Sequence, residues 1–127
     1  MANGELFDQW TLKSGLFCAL LMASVDGSFD VAERNVCLSF LNDHWKPEYG
    51  SAKDFFLETV KDVKGYIGAR SKIDKKIMVM AETLGTHQKQ AILAVVEKVM
   101  MADNQVLVTE TELFNRIKKL KMLGINF

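Results

Sequence analysis

The chain has 127 residues, with sixteen Lys plus Arg against sixteen Asp plus Glu, 49% apolar and 25% charged. That length suits one domain with a sizeable core, and the composition belongs to a folded globular protein. Balanced charge gives no net field toward nucleic acid or an anionic membrane, so no nucleic acid is expected as a partner.

The longest apolar stretch, residues 16–23, is far short of a bilayer span, so no direct membrane insertion is expected. Residues 1–8 show no basic region leading into an apolar run, and a cytoplasmic location follows as the expectation. Cys18 and Cys37 lie in apolar stretches without a Cys-x-x-Cys spacing, which reads as buried, reduced thiols.

Taken in order, residues 5–10 form a short amphipathic lead-in. From about Thr11 the pattern is helical: Leu12, Leu16, Ala19, Leu20 and Ala23 follow three- and four-residue steps, widened by Phe17, Leu21 and Met22. A helix apolar over so much of its circumference is expected at the centre. It stops at the turn dipeptide Asp26-Gly27. Asp30 with Glu33 reads as a capping box opening a helix that buries Val36, Cys37, Phe40 and Leu41 and ends before Pro47. Ser51 to Asp54 starts the next, with Phe55, Phe56, Val60 and Val63, and Gly65 and Gly68 bracket a loop. Ser71 to Asp74 starts a helix through Ile77, Met80 and Leu84, with Gly85 as its C-terminal cap. Thr86 begins a second long helix, through Ile92, Leu93, Val95, Val96, Val99 and Met100, which meets Asp103-Asn104. A last helix from about Val108 carries Leu113, Phe114, Ile117 and Leu120 and ends at Gly124. No segment alternates with period two. The expected fold is all-α, one domain over 1–127, a compact bundle of six to seven helices.

An internal repeat organises this order. An offset of 77 residues superposes Leu16 on Leu93, Ala19 on Val96, Met22 on Val99, Asp26 on Asp103, Phe29 on Val106, Glu33 on Glu110 and Phe40 on Ile117. The repeats, about 12–45 and 89–122, read as two helical hairpins packed about a pseudo-twofold axis.

Both copies end an apolar helix on an Asp, where the helix dipole disfavours negative charge, so a compensating cation, basic side chain or Asx-type bond is expected nearby. The first copy matches the back half of an EF-hand loop. The first and third loop positions, however, fall on Met22 and Ser24, and in the second copy on Val99 and Met101. Independent EF-hand calcium sites are therefore not expected. If the twofold brings the turns together, Asp26, Asp30, Glu33, Asp103 and Glu110 converge in one oxygen-rich pocket suited to a divalent cation such as Ca or Mg. The plainer reading makes the Asp residues turn formers and the Glu residues helix caps. It accounts well for Glu33 and poorly for Glu110, since Thr109 with Glu112 is the natural cap of the last helix.

Elsewhere, His44 and His87 lack partners at ligand spacing, and Met78, Met80, Met100, Met101 and Met122 read as core filler. Lys72, Lys75 and Lys76, and later Arg116, Lys118, Lys119 and Lys121, read as solvated helix faces. No Glu-x-x-His, Gly-rich phosphate loop or nucleophile with a base in register is present, so an enzyme is not expected.

The pattern of apolar helix, Ala- or Val-Asp-Gly, one apolar residue and a helix-opening Glu resembles the TerB-like family of tellurite-resistance proteins. Val25-Asp26-Gly27 through Glu33 fits it, and Ala102-Asp103-Asn104 through Glu110 fits with Asn in place of Gly. The resemblance implies an all-helical, pseudo-symmetric domain linked to tellurite and chemical-stress resistance and to phage or colicin defence. It also implies a bacterial, cytoplasmic, non-enzymatic module that is metal-responsive or scaffolds a protein complex, some members having a membrane-associated partner. The family's acidic positions carry over to Asp26, Glu33, Asp103 and Glu110; Asp30 joins them only by local argument, because Leu107 occupies its counterpart. The alternative is a purely structural protein–protein interaction domain with no metal site.

Overall fold

A computed structural model describes residues 8–24, 31–102 and 108–119, with side chains throughout except at 70, 108–110, 116, 118 and 119. Six α-helices make up these segments: α1 Gln9–Ser24, α2 Val31–His44, α3 Ala52–Lys64, α4 Arg70–Thr83, α5 Thr86–Met100 and α6 Val108–Lys119. A 3-10 turn, Pro47–Tyr49, precedes α3. The protein is all-α, as the periodicity requires; no strand occurs among the described residues.

α1 is the axle of the bundle. It packs against α2, α3, α5 and α6, and it touches α4 through the Cys18 Sγ to Met80 Sδ contact of 3.7 Å. Residues 14–23 are buried without interruption, together with Thr11 and Leu12. A helix enclosed on every side needs no polar face, hence an apolar stretch with no charge after Lys13. Its first turn is fixed by Asp8: the carboxylate accepts from the Thr11 amide at 2.7 Å and the carbonyl from the Leu12 amide at 2.9 Å. The helix therefore begins two residues before the apolar periodicity does.

α1 and α5 approach closely at Gly15. A Cβ added there would lie 3.4 Å from Ile92 Cγ1 and 2.7 Å from Phe40 Cζ, so the Phe40 ring of α2 sits in the notch that glycine leaves. Of the predicted α2 stripe, Cys37, Phe40 and Leu41 are buried and Val36 packs half-buried against them.

Three helix ends differ in detail from expectation. Ser51 caps α3 as predicted, its hydroxyl accepting from the Asp54 amide at 3.2 Å. Ser71 does not cap α4, which starts at Arg70 with Ala69 in the cap position and no side-chain capping bond. Gly85 does not close α4: Leu84 does, extended and buried, with its amide on Met80 O at 3.1 Å. Gly85 instead opens α5 at φ −77°, donating its amide to Gln88 Oε1 at 2.8 Å. A two-residue junction, Leu84-Gly85, thus replaces a left-handed cap. Finally, α6 opens at Val108, which places Thr109 inside the helix and not at its cap. The predicted lead-in over 5–7, the Asp26-Gly27 and Asp103-Asn104 turns, and the Gly124 stop lie outside the described residues.

Candidate functional site

The acidic segments of the sequence fall between α1 and α2 and between α5 and α6. Glu33 is the third residue of α2 and is 2% exposed, a rare placement for a carboxylate. Glu110 is the third residue of α6 in backbone position. Asp26, Asp30 and Asp103 fall outside the described residues, as does the Glu110 side chain. What the described structure supplies at this end is therefore one buried oxygen donor of the kind a hard cation takes. Among the described residues no group of three or more His, Cys, Asp or Glu comes together to hold a metal.

One helical turn beyond Glu33, the Cys37 thiol is pushed up to about 12, mainly by burial and further by the Glu33 charge. Cys18, in the middle of α1, is pushed up to about 12 by burial, partly offset by the Lys76 charge. Both cysteines are free and buried, as the composition led us to expect. His44 packs its ring against Phe40, with centroids 5.4 Å apart, and His87 is exposed. Met80 and Met100 are core residues, whereas Met78 and Met101 are about half exposed.

The basic cluster of α4 is not simply solvated. Lys72 Nζ lies 5.1 Å from the centre of the Tyr66 ring and donates to Gly65 O at 3.4 Å, and Lys76 Nζ lies 5.3 Å from the centre of the Phe17 ring. Tyr66 in turn stands edge-on to Phe17 at 5.1 Å. Two ammonium groups are thus drawn onto aromatic faces that join α4 to α1.

That same region holds a groove of about 660 Å³ between α1, the 3-10 turn, α3 and α4. Its size lies in the range of small-molecule sites. One wall is aromatic: Trp45 leans on Phe55 at 5.0 Å and meets Tyr49 edge-on at 5.3 Å. The Trp45 indole N–H is held by Gly50 O at 2.9 Å, and Gly50 has φ +100°, a backbone state that suits glycine. Across the groove, Trp10 is fixed by its N–H to Thr83 Oγ1 at 2.9 Å. Asp54, Glu58 and Asp62 run along α3 at four-residue steps as an acidic ridge, and Lys13 and Lys76 also line the space. In the floor, the Ser14 hydroxyl is 1% exposed and has no hydrogen-bond partner. Reading the chain for turns and caps passed over this groove. Its one legible trace was the i, i+4, i+8 spacing of the three α3 carboxylates, which places them on one face.

Comparison with protein-family models, with curated proteins and with solved structures finds no match to this chain.

Proposed function

We propose that this chain is a non-enzymatic, TerB-like stress-response module of the cytoplasm, in which the two acidic turns together bind a divalent cation, calcium or magnesium, or present that charge to a protein partner. The observation that carries the reading is Glu33, a carboxylate 2% exposed in the first turn of α2. Two features support the pseudo-twofold arrangement behind it. α2 and α6 open at Val31 and Val108, 77 residues apart, so that Glu33 and Glu110 hold the same helical position. The close approach of Gly15 to Ile92 joins two residues related by that same offset, as a contact on a twofold axis would. Each helix N-terminus carries partial positive charge, which suits an acidic residue in its first turn. No helix among the described residues is long and apolar enough to cross a membrane, so a membrane-associated partner would be met at a protein surface.

The test is a thermal-shift titration of metal-stripped protein with calcium, magnesium, manganese and zinc. A native-state site stabilises by about 2.7 kcal/mol at a ligand concentration of 100 times Kd. For a domain of this size that corresponds to a rise on the order of 10 °C. Asp26→Asn with Asp103→Asn should abolish the rise. A flat response to all four ions sinks the cation site and leaves the interaction-domain reading.

A further inference from the structure

We propose that the groove between α1, α3 and α4 binds a linear aliphatic diamine or polyamine. The inference is independent of the acidic segments and rests on the unpaired acceptors and the excess negative charge of the groove. Three neutral donors of its walls are already used: Trp10 N–H on Thr83 Oγ1 at 2.9 Å, Trp45 N–H on Gly50 O at 2.9 Å and the Thr59 hydroxyl on Phe55 O at 2.8 Å. The acceptors are not. Among the described residues Asp54, Glu58 and Asp62 enter no ion pair, and the buried Ser14 oxygen has no partner. An occupant that donates charge-assisted hydrogen bonds serves these oxygens, and an ammonium group is such a donor.

The geometry narrows the class. Successive carboxylates on α3 stand roughly 6 Å apart along the helix axis, comparable to the span between the ammonium ends of an extended four-carbon diamine. Trp45, Phe55 and Trp10 offer apolar faces for the methylene chain between the charges, and their rings attract the charges themselves. The groove already receives one ammonium in this way, that of Lys76 on Phe17. Three carboxylates outnumber the two lysines Lys13 and Lys76, which favours a cation over an anion.

The probe is spermidine, titrated at low salt by calorimetry and by intrinsic fluorescence, since both tryptophans of the chain line the groove. Saturable binding is expected, with butylamine, which has one ammonium, at least on the order of tenfold weaker. Glu58 is exposed, so Glu58→Gln should leave the fold intact and weaken spermidine by on the order of tenfold. Ser14→Ala removes a hydroxyl that has no partner in the fold, so it should weaken spermidine while the melting temperature holds or rises. The proposal is overturned by absence of saturable binding at millimolar spermidine, or by binding indifferent to Glu58→Gln combined with Asp62→Asn. Tighter binding of inorganic phosphate, or of a tetralysine peptide, than of spermidine also overturns it, in favour of an anion or a basic protein segment respectively.

Discussion

Replacing Gly15 by alanine sets two effects of known sign against each other at the junction of α1, α2 and α5. Alanine in a helix interior is favoured over glycine by about 1 kcal/mol. Here its Cβ would stand 2.7 Å from Phe40 Cζ, 3.1 Å from Cε2 and 3.4 Å from Ile92 Cγ1. Phe40 is 5% exposed and its ring is backed by His44, so it cannot swing aside into solvent. Overpacking of this kind costs about 1–3 kcal/mol. Gly15→Ala should therefore destabilise the protein by about 1 kcal/mol net, lowering the melting temperature by roughly 4 °C. In a Phe40→Leu background the offending ring atoms are gone and only the helix preference remains, so the same change should stabilise by up to about 1 kcal/mol. The coupling between the sites is then about 2 kcal/mol, well beyond the scatter of additive pairs. Urea and thermal unfolding of the four proteins of this cycle would measure it, with unchanged m-values showing that the folded and unfolded states stay comparable. An equal effect of Gly15→Ala in both backgrounds, or a gain in the wild type, would refute the notch.

Two further outcomes follow from local chemistry. Ser51→Ala removes the oxygen that caps the Asp54 amide of α3 and should cost about 1 kcal/mol by denaturant unfolding, with Ser51→Asp retaining the stability. Both thiols, raised by burial from 9.0 to about 12, should resist a disulfide reagent at pH 8 in the folded protein and react fully once it is denatured. The sign of the pH effect follows from the same shift. Between about pH 9 and pH 12 the unfolded chain has released two protons that the folded chain retains, so stability is present below pH 9 and falls as pH rises, by roughly 1.4 kcal/mol per unit per thiol. Comparing the wild type with the Cys18→Ala, Cys37→Ala double variant isolates that slope from other alkaline titrations, and equal slopes would contradict the burial.

The helices were legible in the sequence because an apolar residue has to face the core wherever the chain is helical, and the period of α1, α2 and α5 repeats this without interruption. The helix ends were less so. Leu84 continues the Ile77, Met80 pattern, and nothing in that pattern distinguishes Gly85 as the end of α4 from Gly85 as the start of α5. The deciding contact is Gln88 reaching back to the Gly85 amide. Ser71 has the composition of a cap, but the turn that ends at Gly68, at φ +79°, delivers the chain into α4 two residues earlier, with Ala69 in the cap position. The groove was hidden for a different reason. Its walls come from residues as distant as Trp10 and Thr83, which meet through one hydrogen bond, and no local pattern encodes a contact across 73 positions.

α1 would tie the two proposed sites together, and its lack of freedom would keep them separate. Ser14, in the floor of the groove, and Ser24, the last residue of α1, stand ten residues apart on one helix, about 15 Å. Nearly every side chain between them is packed on all sides, so the helix can neither bend nor rotate without opening the core. Exposed charges that far apart are screened at physiological salt. A polyamine in the groove and a cation at the turns would therefore stabilise the same folded state by adding their separate free energies, with little change in each other's affinity. Coupling between them would require α1 to shift as a body, and the Gly15 notch is where such a shift would first collide with Phe40 and Ile92.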